Sequence, residues 1–299
     1  MTNSKKSLRT FFNDNLIHKL SYSSKVISKY YIKNIFGINK QLSILKNLKD
    51  TKKNCDALLI ANGPSARNLN ENKVKELQDK GCLDIFCLNS WINDNEECIY
   101  YPDYYVLADQ IYFDSPLDEE WYEKNDRREI TKIVKAEKEV IYKIKQKCKI
   151  FAPQQFIHYT KQYNKDCEII PFCNSVIKIG QIAQPYKPSS FYPMTALHML
   201  NIARYMGYKN IYIIGFDNNQ YRTFSINLDG TVQSKVEYAG NRITTLNNHI
   251  EYNGMVDVFY ELHEIHKSFN KFSKFNIKNL DYSSELSSFI KADPLCLMK

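Results

Sequence analysis

Glycine is scarce in this chain, with nine in 299 residues. The sequence patterns that spend glycine on phosphates are missing. There is no G-x-x-x-x-G-K-[ST] loop, no G-x-G-x-x-G fingerprint and no G-x-S-x-G elbow. These absences argue against a P-loop NTPase, a dinucleotide enzyme of the usual fingerprint and an α/β-hydrolase. No D-x-D triplet of the kind that carries a metal in many glycosyltransferases is present. None of the eight cysteines pairs in a C-x-x-C spacing, which leaves no zinc or redox motif of that type. Cys55, Cys82 and Cys87 lie in or beside apolar runs, where a thiol acts as a small hydrophobe. A reduced, cytosolic setting is the expectation. No run approaches the ~20 apolar residues of a spanning helix. The N-terminal stretch also lacks a signal-peptide apolar segment.

What is present is uneven. Residues 1–50 hold ten Lys/Arg against two Asp, which accounts for the whole net charge of +8. The remaining body balances 31 basic with 31 acidic residues. A neutral body argues against nucleic acid as a partner, since phosphate binding needs a basic face. In residues 1–50, Phe11, Phe12, Leu16, Leu20, Ile27, Tyr30, Tyr31, Ile35 and Phe36 recur near helical spacing. Lys19, Lys25, Lys29 and Lys33 fall between them, and Gly37 is a stop signal. This predicts a basic amphipathic helical arm. Such an arm can lie on an anionic inner-membrane surface. It can equally pack on the body, or on a second subunit of a homo-oligomer.

From residue 51 onward the chain reads as α/β. Apolar runs at 55–61, 84–88 and 104–108 end at Asn62-Gly63-Pro64-Ser65, at Asn89-Ser90-Trp91 and at Asp109-Gln110. A short apolar run stopped by polar turn residues predicts a buried strand. Ligands of such sheets bind at the carboxyl ends of the strands. Helices are predicted over 68–80, 127–147, 195–205, 254–270 and 284–290, with further strands at 150–152, 210–215 and 277–280. Residues 159–190 and 220–250 read as irregular, and each is a candidate lid.

The candidate chemistry gathers at the strand ends. Gly63 lets the backbone approach a ligand, and Pro64 can open the following turn. Ser65 offers a hydroxyl beside helix N–H groups that favour an anion. An ordinary strand–helix turn would use the same residues. Asn89 and Asp109 end the next two strands and would face the same crevice. Asp217, in Asp217-Asn218-Asn219 after the later strand, can position a hydroxyl or serve as a turn residue. His249, in a polar loop, suits a general base, although a surface histidine reads the same way. His198 reads as structural, and His263 with His266 form no zinc signature.

The strand into Asn62-Gly63-Pro64-Ser65, the strand into Asn89, the block Gly207-Tyr208-Lys209-Asn210-Ile211-Tyr212-Ile213-Ile214-Gly215-Phe216-Asp217 and the later loop histidine form a recognisable set. Over residues 55–290 they resemble the bacterial sialyltransferases of glycosyltransferase family 42. They equally resemble the hydroxymethylpterin-diphosphokinase-like domains of surface-glycan clusters. The resemblance implies a Rossmann-like, mostly parallel α/β sheet flanked by helices, a single GT-A-like domain over 51–299 with a lid. It implies a CMP-linked nonulosonic acid donor, no cofactor, no metal, and a glycan or glycolipid acceptor of lipopolysaccharide or capsule. Asn62, Gly63 and Ser65 would contact donor phosphate and ribose, and Asn89 the donor. Thr195 stands at a donor-binding serine position, Asp217 matches the family's Gly-x-Asp, and His249 would be the base. Two departures stand out. Asn219 replaces a tyrosine that helps the phosphate leave, with Tyr221 nearby as a substitute, and Tyr192 replaces an arginine. The competing readings are a Mg-dependent diphosphokinase-like enzyme using Asp109 with Asp217, and a non-catalytic nucleotide-binding member.

Overall fold

The apolar runs do form strands, and their side chains explain how deep they lie. In Asp56–Ile60, every residue after Asp56 is buried. Successive strand side chains point to opposite faces, so a run that is apolar at every position must be covered on both faces. The computed structural model describes residues 16–109, 112–113, 139–145, 147–218, 222, 225–226, 232–237, 243–247 and 255–294.

In chain order the elements begin with α1 (Leu16–Ile35) and a 3-10 stretch (Ile38–Leu48), followed by β1 (Asp56–Ile60) and α2 (Glu71–Asp79). Next come β2 (Leu83–Leu88), α3 (Trp91–Asp94), β3 (Tyr104–Val106), β4 (Lys149–Pro153), α4 (Ile157–Tyr163) and β5 (Ile169–Phe172). Then follow α5 (Thr195–Met206), β6 (Asn210–Ile214), β7 (Ser225–Ile226), β8 (Val232–Glu237) and β9 (Ile243–Asn247). The last are α6 (Met255–Asn270), β10 (Ile277–Asn279) and β11 (Ile290–Lys291).

Eight strands make one Rossmann-like sheet in the order β11-β10-β6-β1-β2-β3-β4-β5. Every pairing in it is parallel. The chain runs outward from β1 to β5, then returns to lay β6 on the other side of β1. That reversal is a topological switch point, the place where open α/β sheets bind ligands. On one face, Ala57 and Leu59 pack with Leu197, Leu200 and Ala203 of α5, Phe269 of α6 and Leu45 of the 3-10 stretch. On the other, Leu58 and Ile60 pack with Val74 of α2, Trp91 and Ile92 of α3, and Ile157 of α4.

Helix ends follow local chemistry. The helix predicted over 68–80 starts at Glu71, because Asn70 Oδ1 accepts the Lys73 N–H at 3.1 Å and caps it. Gly207, with φ 83°, closes α5 as the sequence suggests. Gly37, with φ 71°, follows the end of α1.

Three expectations need correction. Residues 159–190 are not irregular throughout, since they hold most of α4 and all of β5. The polar stretch 220–250 contains β7, β8 and β9, which form an antiparallel sheet in that order. No helix spans 284–290, where turns lead into β11. The polar groups there hold the loop after β6 instead: Ser284 Oγ donates to the Phe216 carbonyl at 2.9 Å, and Glu285 N to the Asp217 carbonyl at 3.1 Å. Of the helix predicted over 127–147, residues 139–143 are helical and 127–138 lie outside the described residues.

The arm meets the body along one side. Ser23 is buried and its Oγ accepts the Lys178 N–H at 3.1 Å, while the Tyr30 hydroxyl donates to the Tyr186 carbonyl at 2.9 Å. Leu45 is fully buried in the main core. The rest of α1 exposes Ile27, Tyr31, Ile32 and Ile35, with Lys25, Lys29 and Lys33 also exposed. No described helix is long and apolar enough to cross a membrane.

Candidate functional site

Two adjoining structures form at the carboxyl ends of the strands. The first joins the loops after β1 and β6. Gly63 N donates to the Gly215 carbonyl at 3.0 Å. Pro64 opens a 3-10 turn, Pro64–Asn68, where its missing N–H costs nothing. Ser65 is buried, and its Oγ accepts from Gly215 N at 2.9 Å and donates to Asp217 Oδ2 at 2.9 Å. Ser65 N donates to Asp217 Oδ1 at 3.2 Å. Both oxygens of Asp217 therefore serve the loop. Burial raises the Asp217 carboxyl to about 6, with the nearby Asp281 adding to the rise and the Ser65 hydrogen bonds opposing it. The backbone at Gly63 is ordinary extended chain, with φ −69°. Its glycine makes room for Asp217 rather than for a left-handed turn. Gly215 is the residue with φ 74°, and a Cβ there would meet the Ala61 carbonyl at 2.2 Å.

The second structure is a cleft of about 440 Å3. Asn89 from the end of β2, Ala108 and Asp109 beyond β3, Gln155 and Phe156 beyond β4, and Asn174 beyond β5 line one side of it. Tyr192, Thr195 and His198 at the start of α5, with Glu261 and Ile265 of α6, line it as well. Its size falls in the range of small-ligand pockets, ~300–1,000 Å3. Asn89 sits at φ 50°, a strained value for any residue but glycine and one that asparagine tolerates best. Its backbone is held there by the Tyr105 hydroxyl donating to the Asn89 carbonyl at 2.7 Å.

Two buried oxygens at these strand ends have no hydrogen-bond partner among the described residues: Asn62 Oδ1 and Asn89 Oδ1. Asn62 Nδ2 donates to Ser90 Oγ at 3.1 Å, which ties the first loop to the residue beside Asn89. A buried, unpaired amide oxygen costs roughly 1–3 kcal/mol, so such atoms mark places where a ligand or water completes the structure. Thr195 opens α5, and no side chain caps that helix. Uncapped N–H groups and the helix dipole favour an anion at this end. His198, in the first turn of α5, lies between Phe172 and Phe191, with ring centroids 5.0 Å from each. Burial lowers its pKa to about 3, so the imidazole stays neutral. The Tyr192 hydroxyl donates to Glu261 Oε1.

Of the residues singled out from sequence, Asn89, Asp109 and Thr195 line this one cleft, and Asn62 is bonded to its edge. Gly63, Pro64, Ser65 and Asp217 form the joint beside it. Asn219, Tyr221 and His249 lie outside the described residues. Sequence reading passed over Gln155, Asn174 and Glu261; it read His198 as structural, and the ring is indeed buried, though it also borders the cleft. Glu261 had one available signal: with Ile265 and Phe269 it repeats every fourth position, the inward stripe of α6.

No protein-family model matches the chain, and no curated protein matches it in sequence. Among solved structures it is similar to the MAf glycosyltransferase from Magnetospirillum magneticum AMB-1, at 11% identity and a TM-score of 0.43. The match covers 86% of this chain and 39% of that one, well under half of the neighbour's length.

Proposed function

We propose that the chain is a glycosyltransferase that binds a nucleotide-sugar donor in this cleft, with a CMP-linked nonulosonic acid as the donor class. The observation that carries the reading is the convergence of Asn89, Asp109 and the uncapped start of α5, with the unpaired Asn62 and Asn89 oxygens beside them. An anionic phosphate suits the helix start, and amide oxygens suit ribose or sugar hydroxyls. Fixed donors of this kind stabilise a departing phosphate without reorganising. The engagement of both Asp217 oxygens by Ser65 speaks against Asp217 joining Asp109 around a magnesium ion, as a diphosphokinase-like enzyme would require.

In this reading transfer needs no metal. His249 takes the proton of the acceptor hydroxyl, and Tyr221 assists the departing phosphate. The acceptor is a lipid-linked or surface glycan handled on the cytoplasmic side of the inner membrane. The outer side of α1, apolar and basic with no acidic residue, supports contact with anionic lipid. A calorimetric screen of nucleotides and nucleotide sugars tests the proposal. CMP or a CMP-sugar is expected to bind, and turnover is expected to survive EDTA. His249→Ala is expected to lower kcat by ~10²–10⁴-fold. Failure of every nucleotide to bind overturns the reading.

A further inference from the structure

A second cleft, of about 780 Å3, opens between α1 and the body. Gln155 and Asn174 line both clefts, so the two are neighbours at the carboxyl ends of β4 and β5. Tyr22, Val26, Lys29, Tyr30 and Lys33 of α1 line the arm side. Gln154 and Phe172 stand on the body side, and Asn39 and Gln41 come from the 3-10 stretch. The arm is fastened where it forms this wall. Ser23 Oγ accepts the Lys178 N–H, the Tyr30 hydroxyl donates to the Tyr186 carbonyl, and Asn39 Nδ2 donates to the Tyr30 carbonyl at 3.0 Å. Lys29 and Lys33 are four residues apart, which puts both side chains on one side of the helix. The same two lysines border a shallow depression on α1 itself, beside Lys25 and the exposed Ile32. They therefore stand on the rim where the cleft meets the exposed surface of the arm. Burial raises the Cys173 thiol, and the Lys33 charge opposes that rise, so the field of this lysine reaches the end of β5.

The order of chemistry runs outward from the donor cleft: shared amides, then lysines, then an exposed apolar surface. Side-chain amides donate and accept hydrogen bonds, and with the rings of Tyr22 and Phe172 they match the hydroxyls and C–H faces of a sugar. A pair of ammonium groups matches a phosphate. Apolar side chains among lysines match a lipid chain under its headgroup. We infer that this second cleft seats the acceptor, with Lys29 and Lys33 holding the phosphate that joins the acceptor sugar to a lipid. The inference deepens the glycosyl-transfer reading and rests on it. The two lysines act as binding residues and take no part in proton or group transfer.

Calorimetry on the full chain tests this without any donor, using three matched probes below their micellar concentrations. These are the decyl phosphodiester of glucose, decyl glucoside, which lacks the phosphate, and glucose 1-phosphate, which lacks the chain. The phosphodiester is expected to bind, and decyl glucoside to bind about tenfold more weakly, the value of a hydrogen bond to a charged group. Glucose 1-phosphate should bind at least about fivefold more weakly, for want of apolar burial. Lys29→Gln with Lys33→Gln should weaken the phosphodiester about tenfold, while Lys29→Arg with Lys33→Arg keeps it within about threefold. Lys25→Gln with Lys40→Gln removes the same charge from exposed positions outside the lining and should change it less than about twofold. Equal binding of the phosphodiester and either matched probe, no binding of any, or an equal loss in the Lys25/Lys40 variant overturns the inference. CMP affinity, measured separately, should stay within about twofold in every variant and reports on the donor reading, so the two can fail independently.

Discussion

The carboxylate of Asp217 occupies the space in which any residue but glycine at position 63 would carry its side chain. A Cβ on Gly63 would lie 1.9 Å from Asp217 Oδ2 and 2.5 Å from the Gly215 carbonyl oxygen. Two loops far apart in sequence thereby lock together at the switch point of the sheet. The lock sets where Asn62 emerges beside the cleft.

Gly63→Ala should therefore be destabilising for lack of space, since φ at Gly63 is acceptable to alanine. The Gly215 carbonyl is backbone and cannot swing aside. Forced packing of this kind costs about 1–3 kcal/mol. In a thermal melt the variant should lose several degrees, and nucleotide affinity should fall with it. An unchanged melting temperature would show that the lock yields freely.

The same pair predicts a pH dependence. The folded Asp217 carboxyl titrates near 6 against an ordinary 3.8, so the folded state holds the proton more tightly than the unfolded chain. Its contribution to stability is fully present below the unfolded value and is lost as pH rises through about 6. Asp217→Asn removes the titration. The stability of wild type minus that of the variant should fall between pH 4 and pH 7 by on the order of 1–3 kcal/mol. Denaturant melts across that range measure it, and a flat or rising difference would contradict the assignment.

Asn89 allows a cleaner test of the cleft. Its φ of 50° suits glycine, so Asn89→Gly keeps the backbone while deleting the unpaired amide oxygen. The fold should persist with near-normal melting. Affinity for the nucleotide should drop about 5–10-fold, the value of one hydrogen bond of ~1–1.4 kcal/mol. Calorimetry on the two proteins decides it, and equal affinity would remove Asn89 from the site.

The arm needs a test that spares the core. Deleting residues 1–50 also removes Leu45, and loss of a fully buried leucine side chain costs about 2–5 kcal/mol. Ile35 and Phe36 are 81% and 75% exposed and can be changed alone. Ile35→Asp with Phe36→Ser should leave melting unchanged and cut flotation with phosphatidylglycerol vesicles to less than half. Wild-type flotation with zwitterionic vesicles should be weak. Equal flotation of the variant would show that this surface does not meet lipid.

Much of the sheet was legible because its interior strands are apolar at nearly every position. Ala57 to Ile60 and Ile211 to Ile214 could hardly lie elsewhere than in the middle of a covered sheet. The edge and the small antiparallel sheet were not legible, since Val232–Glu237 and Ile290–Lys291 carry no such run. The asparagine and aspartate at each strand end announced a site, because polar residues stop buried strands only where the chain reaches solvent or ligand. The partners of those residues were invisible. Gly63 reads as room for a ligand until Asp217, distant in the chain, is seen to fill it. Glu261 reads as one charge among many on an amphipathic helix until the Tyr192 hydroxyl is seen to donate to it.

A crystal soaked with CMP tests the central claim most directly. The account predicts the phosphate at the first turn of α5, within hydrogen-bond reach of Thr195, and a CMP hydroxyl or amino group on Asn89 Oδ1. An empty cleft at saturating CMP, or CMP bound away from Asn89 and Thr195, would contradict it.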